Sequence, residues 1–270
     1  MSSMNSLGSP RPLHAEWTKL RTLLSSWLLL TATVVLTVGM GAATTAAVDT
    51  HDCLTAAACH EDTVKLSLTG VWLGQATALI LGVLSMGAEY GTGTIRTTLI
   101  AMPARRRMLM AKATTLSAVT AVAGAAAIVT SLWLARLILP TNGFKPSTGY
   151  PLPTLTDGPT LRAAAGSVLC LMLVTLLGLA LATLLRDTSG AITLGLGLLY
   201  IVPFMANALA SPTWQHRLQR WAPMPAGLSI QATKNLERLA IGPWPGLGVL
   251  AAYVAGLLVA GAVLLGARDA

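Results

Sequence analysis

Apolar residues along the chain fall into six runs of about 20 residues or more, separated by shorter polar stretches. An α-helix rises about 1.5 Å per residue, so a run of this length crosses a hydrocarbon core about 30 Å thick. Strands of a membrane barrel would instead alternate over about ten residues. The pattern therefore predicts an all-α membrane protein, a single domain over residues 1–270, with spans at 24–48, 66–88, 113–139, 161–185, 189–209 and 245–266.

The composition agrees with lipid as the main solvent of this protein. Hydrophobic residues make up 54% of the chain and charged residues 10%, and the mean hydropathy is +0.67. Soluble domains carry about 25% charged residues, so too little polar material is present to cover a water-facing surface. This shortage excludes a disordered or nucleic-acid-binding chain, although the net charge is +8.

The positions of Lys and Arg predict that both termini face the cytoplasm. Ten of the 18 Lys and Arg residues fall on that side, which is a small excess. Their position carries more weight than their number, because Arg105, Arg106, Arg107 and Lys112 cluster directly before the third span. We expect these four residues to anchor the preceding loop at the lipid surface.

Motifs of several enzyme and carrier classes are missing from the sequence. It contains neither a Gly-Lys-Ser/Thr phosphate-binding loop nor a Gly-x-Ser-x-Gly nucleophile elbow. The middles of the six predicted spans lack ionisable residues, which counts against an ion-coupled carrier. We expect a protein that is not an enzyme, holds no cofactor or metal itself, and obtains energy from a partner or a gradient.

Two cysteines lie in the loop between the first two spans. Cys53 and Cys59, with His51 and His60 beside them, supply the ligand types of a tetrahedral zinc site. A disulfide that closes a short loop on the oxidising side of the membrane is the favoured interpretation, over zinc or free thiols.

The loop between the second and third predicted spans carries the most informative pattern. Gly91 and Gly93 permit a sharp turn, and Thr92 or Thr94 can cap a new helix. One helix face would then carry Ile95, Leu99 and Met102, and Pro103 would end the helix. These positions predict a short amphipathic helix that lies across the membrane face. From these residues alone it is equally an interfacial helix or a docking element for a cytoplasmic protein.

The same residues resemble the signature of ABC-2 type permeases, the membrane subunits of ATP-driven exporters. The similar positions are Glu89-Tyr90-x-x-Gly93-Thr94-Ile95-Arg96-Thr97-Thr98-Leu99, then Pro103-x-Arg105-Arg106 and Lys112. The segment Glu16-Trp17-Thr18-Lys19-Leu20-Arg21 is similar to the start of that family. The resemblance covers almost the whole chain in the order of its elements: an amphipathic N-terminal helix, six spans, a cytoplasmic loop and short outer re-entrant helices before the last span.

The resemblance implies a coupling helix that is seated in a separate ABC ATPase, which binds ATP and Mg. It also implies two permeases, a second copy or a paralogue, with two ATPase subunits in a bacterial plasma membrane. Glu89 and Arg96 would contact the ATPase, and the apolar stripe would seat the helix; the implied coupling residues are Glu89, Gly93, Thr94, Ile95, Arg96, Leu99, Met102 and Pro103. A non-transporting membrane scaffold or assembly protein is the alternative.

Sparse polar groups within the spans are the candidates for a translocation path. They are Gln75 in the second span and Tyr200 and Asn207 in the fifth. The otherwise apolar path indicates amphiphilic or hydrophobic cargo such as a drug, a natural product or a lipid. Gly70-x-x-x-Gly74 allows close helix contact, either inside one subunit or at a dimer seam.

Overall fold

The computed structural model describes residues 11–48, 62–91, 105–144, 152–208 and 212–267, and these residues form helices and connecting turns without a strand. The helices are α1 (Arg11–Thr22), α2 (Leu24–Ala47), α3 (Thr63–Leu68), α4 (Val71–Gly91), α5 (Arg105–Ile138), α6 (Gly158–Leu185), α7 (Thr188–Leu196), α8 (Val202–Ala208), α9 (Pro212–Trp221), α10 (Pro223–Leu228) and α11 (Pro243–Ala267). A π-helical segment, Gly197–Ile201, joins α7 to α8. Short 3-10 turns cover Leu139–Asn142, Ser229–Gln231 and Leu236–Arg238.

Six of the described helical segments are long and apolar enough to cross a membrane. They are α2, α4, α5, α6, the α7–α8 unit and α11, so the all-α class and the number of spans agree with the sequence prediction. The second span differs at its start, because the chain turns at Thr69 and Gly70 and separates α3 from α4. A side chain at Gly70 would place its Cβ 1.7 Å from the carbonyl oxygen of Thr37, so α2 packs against bare backbone there.

Helices α4 and α6 form the centre of the bundle. Over half of the apolar stretch of each is buried, 56% in α4 and 61% in α6, whereas only 17% of the α7–α8 unit and 22% of α11 are buried. Gly82 and Gly178 allow the two central helices to touch, since a Cβ on either residue would lie within 2.2 Å of a carbonyl oxygen of the other helix. Small residues at such crossings are the usual basis of close helix packing in membranes.

The two ends of this bundle carry different elements. We call the end with α1, the last turn of α4 and the start of α5 the Glu89 end. The opposite end, with α3 and the segment that precedes α11, is the Asp62 end. Gly87 of α4 packs against Thr188, and Gly261 of α11 packs against Thr183, so α11 finishes at the Glu89 end. Because the number of crossings is even, α2 starts at that end as well.

The seven tryptophans mark both ends of the bundle. Each is at least 39% exposed, which is unusual for such a large apolar side chain. Trp17 and Trp27 lie at the Glu89 end, and the other five lie near helix termini of the Asp62 end: Trp72, Trp133, Trp214, Trp221 and Trp244. Exposed Trp at two levels is typical of the aromatic belts of a membrane protein.

Hydrogen bonds to the backbone hold the segment before α11 at the Asp62 end. Asp62 caps α3 by accepting from the Lys65 amide at 3.1 Å. The same carboxylate accepts from the amides of Thr233 and Lys234 at 2.5 and 3.0 Å and from the Thr233 hydroxyl at 2.7 Å. Gln231 donates to the Leu68 carbonyl at 3.2 Å, and Arg162 donates to the Ala232 carbonyl at 2.6 Å. These contacts join the segment to α3 and α6.

Candidate functional site

The candidate site is a group of four charged side chains at the Glu89 end. Glu89 lies in the last turn of α4 and Lys112 in the second turn of α5, so the two residues flank the loop 92–104. Glu16 and Lys19 lie one turn apart on α1. We call these four residues the charge cluster.

Lys112 is the centre of the charge cluster. Its side chain is 2% exposed, and its ammonium donates to Glu89 Oε1 at 2.6 Å, to Glu16 Oε2 at 2.9 Å and to the Ser85 carbonyl at 3.2 Å. An ammonium has three N–H donors, so each of them has an acceptor. This single side chain therefore joins α1, α4 and α5.

Lys19 supplies the second positive charge from the rim of the cluster. Its ammonium lies 2.7 Å from Glu89 Oε1 and 3.8 Å from Glu16 Oε1, and its side chain is 46% exposed. Burial lowers the pKa of Lys19, but the hydrogen bond to Glu89 and the charges of Glu89 and Glu16 outweigh it, so the pKa is raised above its ordinary 10.5. Lys19 therefore stays charged, and the four groups sum to zero net charge.

This pairing explains how four ionic groups are tolerated among apolar helices. Each buried charge is costly to desolvate, and only close, hydrogen-bonded opposite charges offset that cost. Removal of the buried ammonium of Lys112 would leave an uncompensated buried charge and destabilise the fold by about 3–5 kcal/mol. The cluster therefore strongly favours the arrangement in which α1, α4 and α5 meet.

The position of Glu89 differs from that expected of an ATPase contact. Its side chain is 9% exposed, and Oε1 is occupied by two lysines of its own chain. This oxygen cannot bind a partner protein unless the cluster opens. The remaining implied coupling residues lie outside the described part of the chain: Gly93, Thr94, Ile95, Arg96, Leu99, Met102 and Pro103.

The four residues expected to anchor the loop in lipid do not share one environment. Arg106 and Arg107 are exposed, and the side chain of Arg105 lies outside the described residues. Lys112 instead faces the bundle, because it follows the fully buried Met108 by four residues and therefore shares its inward face. An ion-paired Lys112 is not positioned to contact lipid headgroups, which corrects its assignment to the anchor.

The candidate path residues lie at helix contacts. Gln75 is fully buried, and its amide nitrogen lies 3.7 Å from the sulfur of Cys170 on α6. Tyr200 donates to the Trp72 carbonyl at 2.6 Å, and the rings of Tyr200 and Trp72 pack edge to face with centroids 5.1 Å apart. The side chain of Asn207 lies outside the described residues. Both described residues thus pack between helices of one subunit.

Cys53 and Cys59, the two residues of the predicted disulfide, lie outside the described residues, as do His51 and His60. Cys170 is a free, buried cysteine in α6. Within the described ranges no group of three or more His, Cys, Asp or Glu residues is arranged to hold a metal ion.

Sequence reasoning missed the part that Glu16 plays. The signal was an acidic residue three positions before Lys19 in an otherwise basic segment, a spacing that places both on one helix face. The pattern gave no indication that the same face would meet Glu89 and Lys112, because both are distant in the sequence.

Comparison with known proteins does not assign the chain to a family. No protein-family model matches the sequence, and no curated protein matches it.

Proposed function

We propose that the protein is the permease subunit of an ATP-driven exporter similar to ABC-2 type transporters. It works in a bacterial plasma membrane with both termini in the cytoplasm, beside a second copy or a paralogue. Two separate ABC ATPase subunits bind ATP and Mg and supply the energy. The cargo is amphiphilic or hydrophobic, and lipids surround the two permeases.

The observation that carries this proposal is the charge cluster around the loop 92–104. Glu89 lies in the last turn of the helix before the loop, Lys112 lies near the start of the helix after it, and the two side chains pair at 2.6 Å. Glu16 ties α1 to the same ammonium at 2.9 Å. A force that acts on a loop anchored in this way is transmitted to α1, α4 and α5 together.

The energetics of the cluster support motion as a unit. Separation of α1, α4 and α5 would leave the buried charges of the charge cluster without their partners, because these charges are compensated only in this arrangement. A force on the loop is therefore expected to move the three helices together relative to the rest of the bundle. Rigid-body motion of helices about an interface is a common form of switching.

The test co-expresses this chain with its partner ABC ATPase, which is sought first among the products of the neighbouring reading frames. Leu99→Asp places a carboxylate on the predicted docking stripe, whereas Thr97→Asp places the same charge on the opposite helix face. We expect Leu99→Asp to weaken co-purification of the ATPase by roughly tenfold or more, because a buried carboxylate lacks a partner there. Thr97→Asp should bind as well as the natural chain.

Insertion into the membrane is the control for folding, and both variants should insert normally. The purified chain alone should show no ATP hydrolysis. Equal binding of the ATPase by the two variants, or hydrolysis by the chain alone, would contradict the proposed division of labour.

A further inference from the structure

Two adjoining cavities lie at the Asp62 end of the bundle. The polar cavity, of about 480 Å³, lies between α3 and the segment that precedes α11. The apolar cavity, of about 360 Å³, lies between that segment, α8 and α10. Lys65, Ala232 and Leu239 line both cavities, and both volumes fall in the range of roughly 300–1,000 Å³ that is typical of small-molecule sites. One elongated ligand can therefore enter both.

The polar cavity has an excess of positive charge. Lys65, Lys234 and Arg238 line it, together with the single carboxylate of Asp62. One Asp62 oxygen accepts from the Lys65 amide and the Thr233 hydroxyl, and the other accepts from the amides of Thr233 and Lys234. An ionised carboxylate offers about four acceptor sites, so these four bonds occupy Asp62. The carboxylate is therefore engaged by donors other than the charged ends of Lys65 and Arg238.

Lys65 and Arg238 supply the positive charge that a ligand can reach. Both residues are exposed, and within the described part of the chain neither forms an ion pair with a carboxylate. Glu237 precedes Arg238 in the turn Leu236–Arg238 but does not line the polar cavity. An anionic group that enters the cavity thus meets two cationic side chains at its surface, whereas a cationic group is repelled.

The apolar cavity provides a wall of a different kind. Most of its lining residues are apolar: Pro203, Met224, Pro225, Leu228, Ala240 and Ile241. Lys65, Gln219 and Ser229 add polar groups, but the Ser229 hydroxyl donates to the Ala226 carbonyl at 2.7 Å within its own turn. An alkyl chain would gain from leaving water for such a wall. The two cavities together therefore match an amphiphile with an anionic head and an apolar tail.

Helix α9 places the cavities at the level of lipid headgroups. It contributes Gln219 to the apolar cavity and contains no acidic residue. Trp214 and Trp221 are 54% and 58% exposed, and the guanidinium groups of Arg217 and Arg220 lie 5.5 and 5.8 Å from the centroids of these two rings. Exposed Trp beside Arg is typical of a helix in the interfacial layer of a membrane. Phospholipid headgroups are the anions of that layer, and Lys and Arg side chains attract them.

We propose that the two cavities bind one anionic phospholipid. Its phosphate lies in the polar cavity beside Lys65 and Arg238, and an acyl chain lies in the apolar cavity. A zwitterionic lipid such as phosphatidylcholine carries a cation next to its phosphate, so its attraction to the same side chains is weaker. A free anion leaves the apolar cavity unfilled. The site is independent of the proposed transport function, because this chain forms it alone and binding needs no ATPase.

The experiment uses the full chain in nanodiscs of phosphatidylcholine. The probe is phosphatidylglycerol with a photoreactive group in one acyl chain, the matched probe is phosphatidylcholine with the same chains, and labelled residues are identified by mass spectrometry. At equal mole fraction, we expect the anionic probe to label residues 223–241 at least about tenfold more than the matched probe does, since two cations attract it. This labelling should saturate, whereas labelling around the exposed Ala252 of α11 should rise in proportion to either probe.

Three competitors distinguish the sources of binding. Unlabelled phosphatidylglycerol should displace the probe from residues 223–241. Diacylglycerol with the same chains lacks the charge, and inorganic phosphate lacks the chains, so neither should displace it. Displacement by phosphate would identify a site for free anions, and displacement by diacylglycerol would identify a purely apolar site; either result would overturn the proposal.

A double variant, Lys65→Gln with Arg238→Gln, removes the two reachable charges. Its matched control is Arg107→Gln with Arg136→Gln, which removes two exposed charges that line neither cavity. We expect labelling of residues 223–241 by the anionic probe to fall at least about tenfold in the first variant and to stay within about twofold in the control. Equal melting temperatures of the two variants in phosphatidylcholine show that both are folded. Non-saturable labelling, equal labelling by the two probes, or unchanged labelling in the folded Lys65→Gln/Arg238→Gln variant would each contradict the proposed site.

Discussion

Both ends of the helix bundle are held by buried or half-buried polar contacts, but their chemistry differs. At the Glu89 end, charged side chains pair with one another between α1, α4 and α5, with distances of 2.6–2.9 Å for the three shortest contacts. At the Asp62 end, side chains bind mainly backbone groups of the segment before α11. Asp62, Gln231 and Arg162 provide these contacts.

This difference indicates what each end is suited to do. A hydrogen bond to a backbone amide or carbonyl fixes one position of the chain and stabilises a local conformation. Pairs between side chains on separate helices fix the helices to one another, while the ends of long side chains can adjust to modest shifts. The Glu89 end is therefore suited to joint motion of helices, and the Asp62 end to a fixed cover over one side of the bundle.

Lys112→Met should give the largest effect, because it removes the ammonium and leaves Glu16 without its close partner. We expect the free energy of unfolding to fall by about 3–5 kcal/mol, measured by reversible unfolding in mixed micelles. Lys65→Met is the matched control at the Asp62 end, where the exposed side chain should matter by less than about 0.5 kcal/mol. A similar loss of unfolding free energy in Lys112→Met and Lys65→Met would contradict the larger stabilising contribution assigned to the charge cluster.

Asp62→Asn should give a smaller and more local effect. The carboxylate accepts four hydrogen bonds, and an amide nitrogen in place of one oxygen would face donors instead of accepting from them. We expect a loss of about 1–3 kcal/mol and faster hydrogen exchange at the amides of Thr233 and Lys234. Asp157→Asn is the control, since that exposed side chain caps no helix amide. Equal exchange in the two variants would show that Asp62 does not hold the segment.

Lys19→Met should give the smallest effect, below about 1 kcal/mol, because nearly half of the side chain is exposed and solvent screens the pair. The pKa of Lys19 is raised, so its stabilising contribution is fully present below the ordinary pKa of 10.5 and is lost as the pH rises through the higher folded value. The difference in unfolding free energy between the natural chain and this variant should therefore be constant from pH 7 to 9. A difference that disappears in that interval would contradict the pairing.

The sequence predicted the features that depend on local pattern. Each span needs only a sufficient length of apolar residues, so each of the six long apolar helices overlaps one predicted span. Two starts differ by more than a few residues: α5 begins at Arg105 rather than at 113, and α3 separates from α4. That break depends on Gly70 meeting the backbone of α2, and no local signal distinguishes it from a continuous helix. Contacts between distant parts of the chain are the information that a hydropathy pattern lacks.

The charge cluster likewise depends on contacts between residues that are distant in the sequence. Glu89 and Lys112 were both selected from the sequence, but as a docking contact and a lipid anchor, since neither role requires knowledge of the other residue. Their pairing joins positions 23 residues apart, and Glu16 is 96 residues from Lys112. The hydrogen bonds of Asp62 to Thr233 span 171 residues and had no counterpart in the sequence prediction.

The central claim is that α1, α4 and α5 move together when the partner ATPase binds ATP. Spin labels at Thr18 on α1, Met110 on α5 and Val263 on α11, in a background without the three native cysteines, measure this motion in the assembled complex. On addition of ATP, the distance between Thr18 and Met110 should stay within about 2 Å, while the distance between Met110 and Val263 changes by more than that. A change between Thr18 and Met110 with no change between Met110 and Val263 would contradict the account.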